Sequence, residues 1–171
     1  CIRTLKGHLD MPTAVWRDER AASMRYIARS YWAKGEAGQA RDWYLRAITE
    51  APHLREPYMD LARMLYETEE WEGVLYFTAC ALAVTVRPRS YICEAEAWGS
   101  LPHDLRAIAF YRMGSYPEAL EEAERAADLE PDNQRLRENR RIIARRVQEQ
   151  GIGQNIQFPE IGPEAIDKNA G

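Results

Sequence analysis

The chain has 171 residues, 46% hydrophobic and 29% charged, with a formal net charge of -4. That is enough chain for one core without disulfide or metal staples, and too apolar for a disordered segment. The acidic balance argues against nucleic acid as a partner, and no apolar run nears the roughly 20 residues that cross a bilayer.

Three cysteines, Cys1, Cys80 and Cys93, form no pair set and no CxxC spacing. A disulfide framework is not expected, and a reducing cytoplasm suits them. Mature bacterial lipoproteins also open on Cys, but on a polar tether, whereas Ile2-Arg3-Thr4-Leu5 follows here. The chain reads as a piece of a longer protein. No signal peptide is visible.

Residues 1–20 read as a lead-in, the end of a preceding domain, with a helix beginning at residues 12–16. A repeat follows. Around Gly35 stand Ala28, Tyr31, Ala40, Tyr44, Ala47 and Pro52; around Gly114, at the same offsets, stand Ala107, Phe110, Ala119, Ala123, Ala126 and Pro131. Small residues at matched positions let two antiparallel helices approach closely, Ala28 against Ala40 and Ala107 against Ala119. The glycines supply turns that a Cβ resists, and the prolines stop the second helix. A degenerate middle copy carries Tyr58, Leu61, Ala62, Leu65, Trp71, Val74 and Ala81. It has Glu69 in place of the turn glycine, Thr78 for the aromatic and Val86 for the proline.

These residues resemble the tetratricopeptide-repeat (TPR) family, whose period is about 34 residues. The resemblance implies an all-α, TPR-like right-handed helical array with repeats at 21–54, 55–88 and 100–132. Residues 89–99 interrupt the register, and the helix formers in Tyr91-Ile92-Cys93-Glu94-Ala95-Glu96-Ala97-Trp98 predict an inserted helix, broken by Gly99 and Pro102. Residues 133–150 predict a capping helix with Leu136, Ile143 and Val147 on one face and Ile142 beside them. Residues 151–171 read as an irregular tail unless Ile156, Phe158 and Ile161 dock.

A second resemblance is narrower. The run Ala97-Trp98-Gly99-Ser100-Leu101-Pro102-His103-Asp104-Leu105, with Arg17-Asp18-Glu19-Arg20 upstream, looks like the C-terminal TPR region of bacterial and phage family-2-type glycosyltransferases. Such an enzyme holds a metal and donor phosphates with an Asp-x-Asp motif, which this chain lacks. The resemblance therefore implies a non-catalytic piece serving acceptor recognition, dimerisation or positioning. The alternative is a free-standing adaptor binding a peptide of a partner protein.

In the TPR family the first helix of each repeat lines the groove. Those positions are Arg25, Arg29, Trp32, Met59, Arg63, Tyr66, Asp104, Ile108 and Tyr111. Arginines among aromatics suit an anionic or aromatic partner, because guanidinium forks bind carboxylates and stack on rings. The double change Arg25→Ala with Arg29→Ala is expected to weaken binding without lowering the melting temperature. Asp60, Leu101 and Leu105 stand where chaperone-tail clamps use Lys and Asn, which argues against such a clamp. The arginines of residues 135–146 are expected to answer the acidic residues of the preceding helix. His8, His53 and His103 lack zinc-ligand spacing. No catalytic residue, metal or cofactor is expected.

Overall fold

The computed structural model describes residues 2–154. The helices are α1 (Ile2–Leu9), α2 (Arg17–Trp32), α3 (Ala37–Glu50), α4 (Glu56–Glu67), α5 (Trp71–Ala83), α6 (Leu101–Arg112), α7 (Tyr116–Leu129) and α8 (Gln134–Gln154). A 3₁₀ turn, Ala95–Trp98, precedes α6, and the described residues contain no strand. α2 packs on α3, α4 on α5 and α6 on α7; α3 meets α4, α5 meets α6, and α8 lies along α7. This is the expected TPR-like array of helical pairs.

The crossings are built from the small residues. Ala28, Ala40 and Ala47 are fully buried in one cluster with Ile27, Tyr44, Leu61 and Leu65. Ala107, Ala119 and Ala123 form a second cluster with Ile143. Leu136 and Ile143 of α8 are buried, so the terminal helix covers the last pair as a cap should. Burial of this kind contributes roughly 25 cal/mol per Å² of apolar surface.

All three turns close alike. The N–H groups of Gly35 and Glu36 reach the carbonyls of Trp32 and Tyr31 at 2.8 and 3.0 Å. Gly114 and Ser115 repeat this on Tyr111 and Phe110 at 3.1 and 2.9 Å, and Glu69 and Glu70 on Tyr66 and Leu65 at 3.2 and 2.9 Å. These paired bonds satisfy the orphan carbonyls of the helix end and need a left-handed residue. Gly35 and Gly114 have φ of 78° and 82°; Glu69 adopts φ 58° despite its Cβ.

The secondary structure departs from the sequence reading in four places. The lead-in helix is α1, while residues 12–16 form turn and extended chain and α2 starts at Arg17. Residues 91–94 are not helical: the Ile92 N–H turns onto Ser90 Oγ, and the Glu94 N–H donates to Glu56 Oε1 at 3.0 Å. Those partners compete with helix hydrogen bonds, so only the short 3₁₀ turn forms. Pro102 does not break a helix but sits in the first turn of α6, where no intrahelical N–H is needed. Finally α8 runs to Gln154, past the expected end at 150. The tail beyond it, with Ile156, Phe158 and Ile161, lies outside the described residues.

The α8 arginines also find other partners than expected. Arg135 pairs with Asp104 of α6, and Arg141 and Arg146 pair within α8 to Glu138 and Glu149. Among the described ion pairs none joins α8 to the acidic residues of α7.

The strained turn residue offers a direct check. Replacing Glu69→Gly removes left-handed strain of roughly 1–2 kcal/mol, partly offset by the flexibility of glycine in the unfolded chain. The expected result is a net gain of about 0.5–1 kcal/mol in urea unfolding.

Candidate functional site: a groove partly filled by the chain itself

Of the positions expected to line a groove, those on α2 and α4 are largely engaged by other residues of the chain. Arg25 is 3% exposed and donates from Nε to Asp60 Oδ2 at 2.8 Å and from Nη2 to Glu94 Oε1 at 2.8 Å. Arg29, one turn on, reaches Asp60 Oδ1 at 2.8 Å and Glu94 Oε2 at 3.2 Å. Two cations thus share two carboxylates, one from α4 and one from the segment between α5 and α6. Burial works against both guanidinium charges, yet the hydrogen bonds and charges of Asp60 and Glu94 more than offset it and raise both pKa values.

The segment that brings Glu94 is tied down at its two ends by neighbouring residues of α4 and its N-cap. Arg55 donates from Nε to the Val84 carbonyl at 2.8 Å and from Nη1 to the Ala97 carbonyl at 3.4 Å. Its guanidinium also lies 4.0 Å from the centre of the Trp98 ring. Glu56, fully buried, accepts from the Glu94 N–H and from the Trp98 indole at 3.3 Å. Its other oxygen, Oε2, has no hydrogen-bond partner. At the far tip Tyr91 donates to Glu19 Oε1 at 2.5 Å and meets Trp16 edge-on, with ring centres 5.9 Å apart. Residues 84–98 therefore form a loop with closed ends, laid from α4 across to α2.

Placement of the remaining groove residues is mixed. Arg63 pairs with Glu96 of the same loop, and the Trp32 indole donates to Glu67 Oε2 at 3.0 Å. Met59 is 3% exposed and belongs to the core, which corrects its expected place on the groove surface. Arg25 is likewise buried rather than presented. Tyr66 is half-buried against Trp71. Asp104 is buried and accepts from Arg135 at 3.2 and 2.8 Å and from Asn139 at 3.3 Å. Between α6 and α8 a pocket of about 100 Å³ stays open, lined by Ile108, Tyr111, Asn139, Ile142 and Ile143.

Sequence reasoning overlooked Arg55, Glu56, Glu94 and Glu96. The available signal was charge parity. Arginines one turn apart at 25 and 29 demand carboxylates, and the inserted segment carries two glutamates. Among the described residues no cluster of His, Cys, Asp and Glu could hold a metal, and no helix is long and apolar enough to cross a membrane.

Two outcomes follow. Asp60→Ala leaves Arg25 buried with one carboxylate fewer, and thermal or urea unfolding is expected to show a loss of about 3 kcal/mol. For the same reason Arg25→Ala is expected to lower the melting temperature, contrary to the sequence-based expectation. The second outcome concerns Glu122, buried at the α6–α7 crossing, with His103 Nδ1 at 2.6 Å and Arg106 Nε at 2.9 Å. Burial opposes its charge, but these hydrogen bonds prevail and hold the carboxyl below its usual range. Its stabilisation is complete above the unfolded carboxyl value and is lost as pH falls through the lower folded value. Glu122→Gln is expected to flatten the fall in melting temperature as pH drops below the usual carboxylate range.

No protein-family model matches the chain, and no curated protein matches it. Solved structures do. The first TPR of Spaghetti (RPAP3) bound to HSP90 peptide SRMEEVD is 19% identical, with a TM-score of 0.64 over 77% of this chain and 95% of that one. The first TPR domain of the human RPAP3 protein is 18% identical, with a TM-score of 0.64 over 79% and 98%. The Sgt2 TPR domain from Aspergillus fumigatus is 18% identical, with a TM-score of 0.63 over 88% and 91%. At these identities the likeness establishes the fold, a TPR-like helical array.

Proposed function

We propose that the chain is a non-catalytic interaction module that takes a segment of a partner protein on the open face between α6 and α8. The observation that carries this is the pocket at Ile108, Tyr111, Ile142 and Ile143. It is apolar apart from Asn139, and Ile142 at its rim is 48% exposed. Arg135, also exposed, stands one turn away. An apolar anchor side chain fits the pocket, and polar flanking residues meet the rim. The peptide held by the RPAP3 domain supports the reading, since it shows the same fold taking a short segment.

The finer reading, a C-terminal region of a family-2-type glycosyltransferase serving acceptor recognition or dimerisation, rests on the run from Trp98 to Leu105. Three of its side chains have structural tasks in this chain: Trp98 on Arg55, His103 on Glu122 and Asp104 on Arg135. An Asp-x-Asp domain encoded upstream would support that parent; a reading frame opening within a few residues of Cys1 would remove it.

The interaction reading is tested by selecting binders from a random peptide library and titrating the strongest. Ile142→Asp is expected to weaken that peptide by about 2 kcal/mol, roughly 30-fold, with an unchanged melting temperature. Selection of no peptide, or an unchanged affinity, would count against it.

A further inference from the structure

We infer that the loop of residues 84–98 is a built-in ligand of the groove, and that an acidic segment of a partner protein displaces it from Arg25 and Arg29. This rests on the groove reading above and names its partner chemistry. Four observations carry it.

The first is charge. Arg25 and Arg29 balance Asp60 and Glu94, two against two. Lifting Glu94 away leaves Arg25 and the part-exposed Arg29 with Asp60 as their one carboxylate, an excess of positive charge on that face. Only another anion restores the balance. A neutral or basic segment has nothing to offer the site.

The second is exposure. Arg29 and Glu94 are 37% and 38% exposed at their side chains, so an incoming carboxylate has access to the pair that holds the loop. The third is the way the loop is held. Residues 84–94 make few backbone hydrogen bonds, among them Val84 to Ala81 and Cys93 to Ser90. Tyr91 and Val86 are 80% and 78% exposed. Such a segment opens at lower cost than the helices around it.

The fourth is the anchoring. Arg55 holds the Val84 and Ala97 carbonyls, and Glu56 holds both the Glu94 N–H and the Trp98 indole, so the part that swings out is the Glu94 side chain with the residues before it. The middle of the loop can leave while its ends stay. When it leaves, Tyr91 also comes away from Glu19 and from the pocket of about 430 Å³ between α1, α2 and the loop. A tether of this length keeps Glu94 at high effective concentration, so the loop suppresses weak or wrongly charged ligands.

The test is an anisotropy titration of the full chain with labelled peptide SRMEEVD and an amidated Gln/Asn counterpart, SRMQQVN. Glu94→Gln is expected to strengthen SRMEEVD at least about tenfold. Tyr91→Ala, which frees the tip without touching the arginines, is expected to strengthen it less. Adding Arg29→Gln to Glu94→Gln is expected to abolish the gain, and SRMQQVN is expected to gain nothing. In the unaltered chain, saturating SRMEEVD is expected to speed amide exchange in residues 86–93. Melting curves show that each variant is folded. An unchanged affinity for SRMEEVD in both Glu94→Gln and Tyr91→Ala, equal gains for the two peptides, or no binding by any variant overturns the inference. Failure here with a surviving Ile142→Asp effect leaves the groove reading standing. A gain on Glu94→Gln without an Ile142→Asp effect removes the apolar pocket and keeps the loop.

Discussion

A guanidinium taken out of water must be met by carboxylates, and Arg25 is almost entirely out of water. It meets Asp60 from the next repeat and Glu94 from the irregular segment beyond it. That single demand ties three stretches of chain together and fixes how α2 faces α4. It also draws the inserted segment back over α2 instead of letting it extend as a helix of its own.

The insertion is held by the start of the second repeat. Arg55 and Glu56 are adjacent in sequence, and between them they take two carbonyls, a backbone N–H, an indole N–H and a ring face. A two-residue anchor of this kind closes a loop at modest entropic cost, because its ends are already near one another. The residue before the proline of α4 thus serves the loop as much as the helix. The price of the arrangement is the unpartnered Oε2 of Glu56.

The surface formed by α2, α4, α6 and α8 divides into two chemistries. Its first half is charged and self-satisfied, with Arg25, Arg29 and Arg63 all engaged by glutamates of the loop. Its second half is apolar and open, where α6 meets the capping helix. In the third pair the first helix is tied to α8 by Asp104 and Arg135, which repeats across α6 and α8 the arginine–aspartate link of α2 and α4.

The repeats were legible in the sequence because helix crossings and turns depend on local chemistry. Ala28, Ala40, Ala107 and Ala119 can only be small where two backbones approach, and Gly35 and Gly114 supply the left-handed turn. Even Glu69, the wrong residue for that conformation, lay where the offsets placed it. Tertiary structure decided the state of residues 91–94, whose helix-forming composition lost to Glu56 and the two arginines, with a local turn at Ser90 beside them. It also decided that Met59 is core and that Arg25 is buried. Local propensity follows from neighbours along the chain, whereas the balance of buried charge is set by residues 35 and 69 positions away from Arg25.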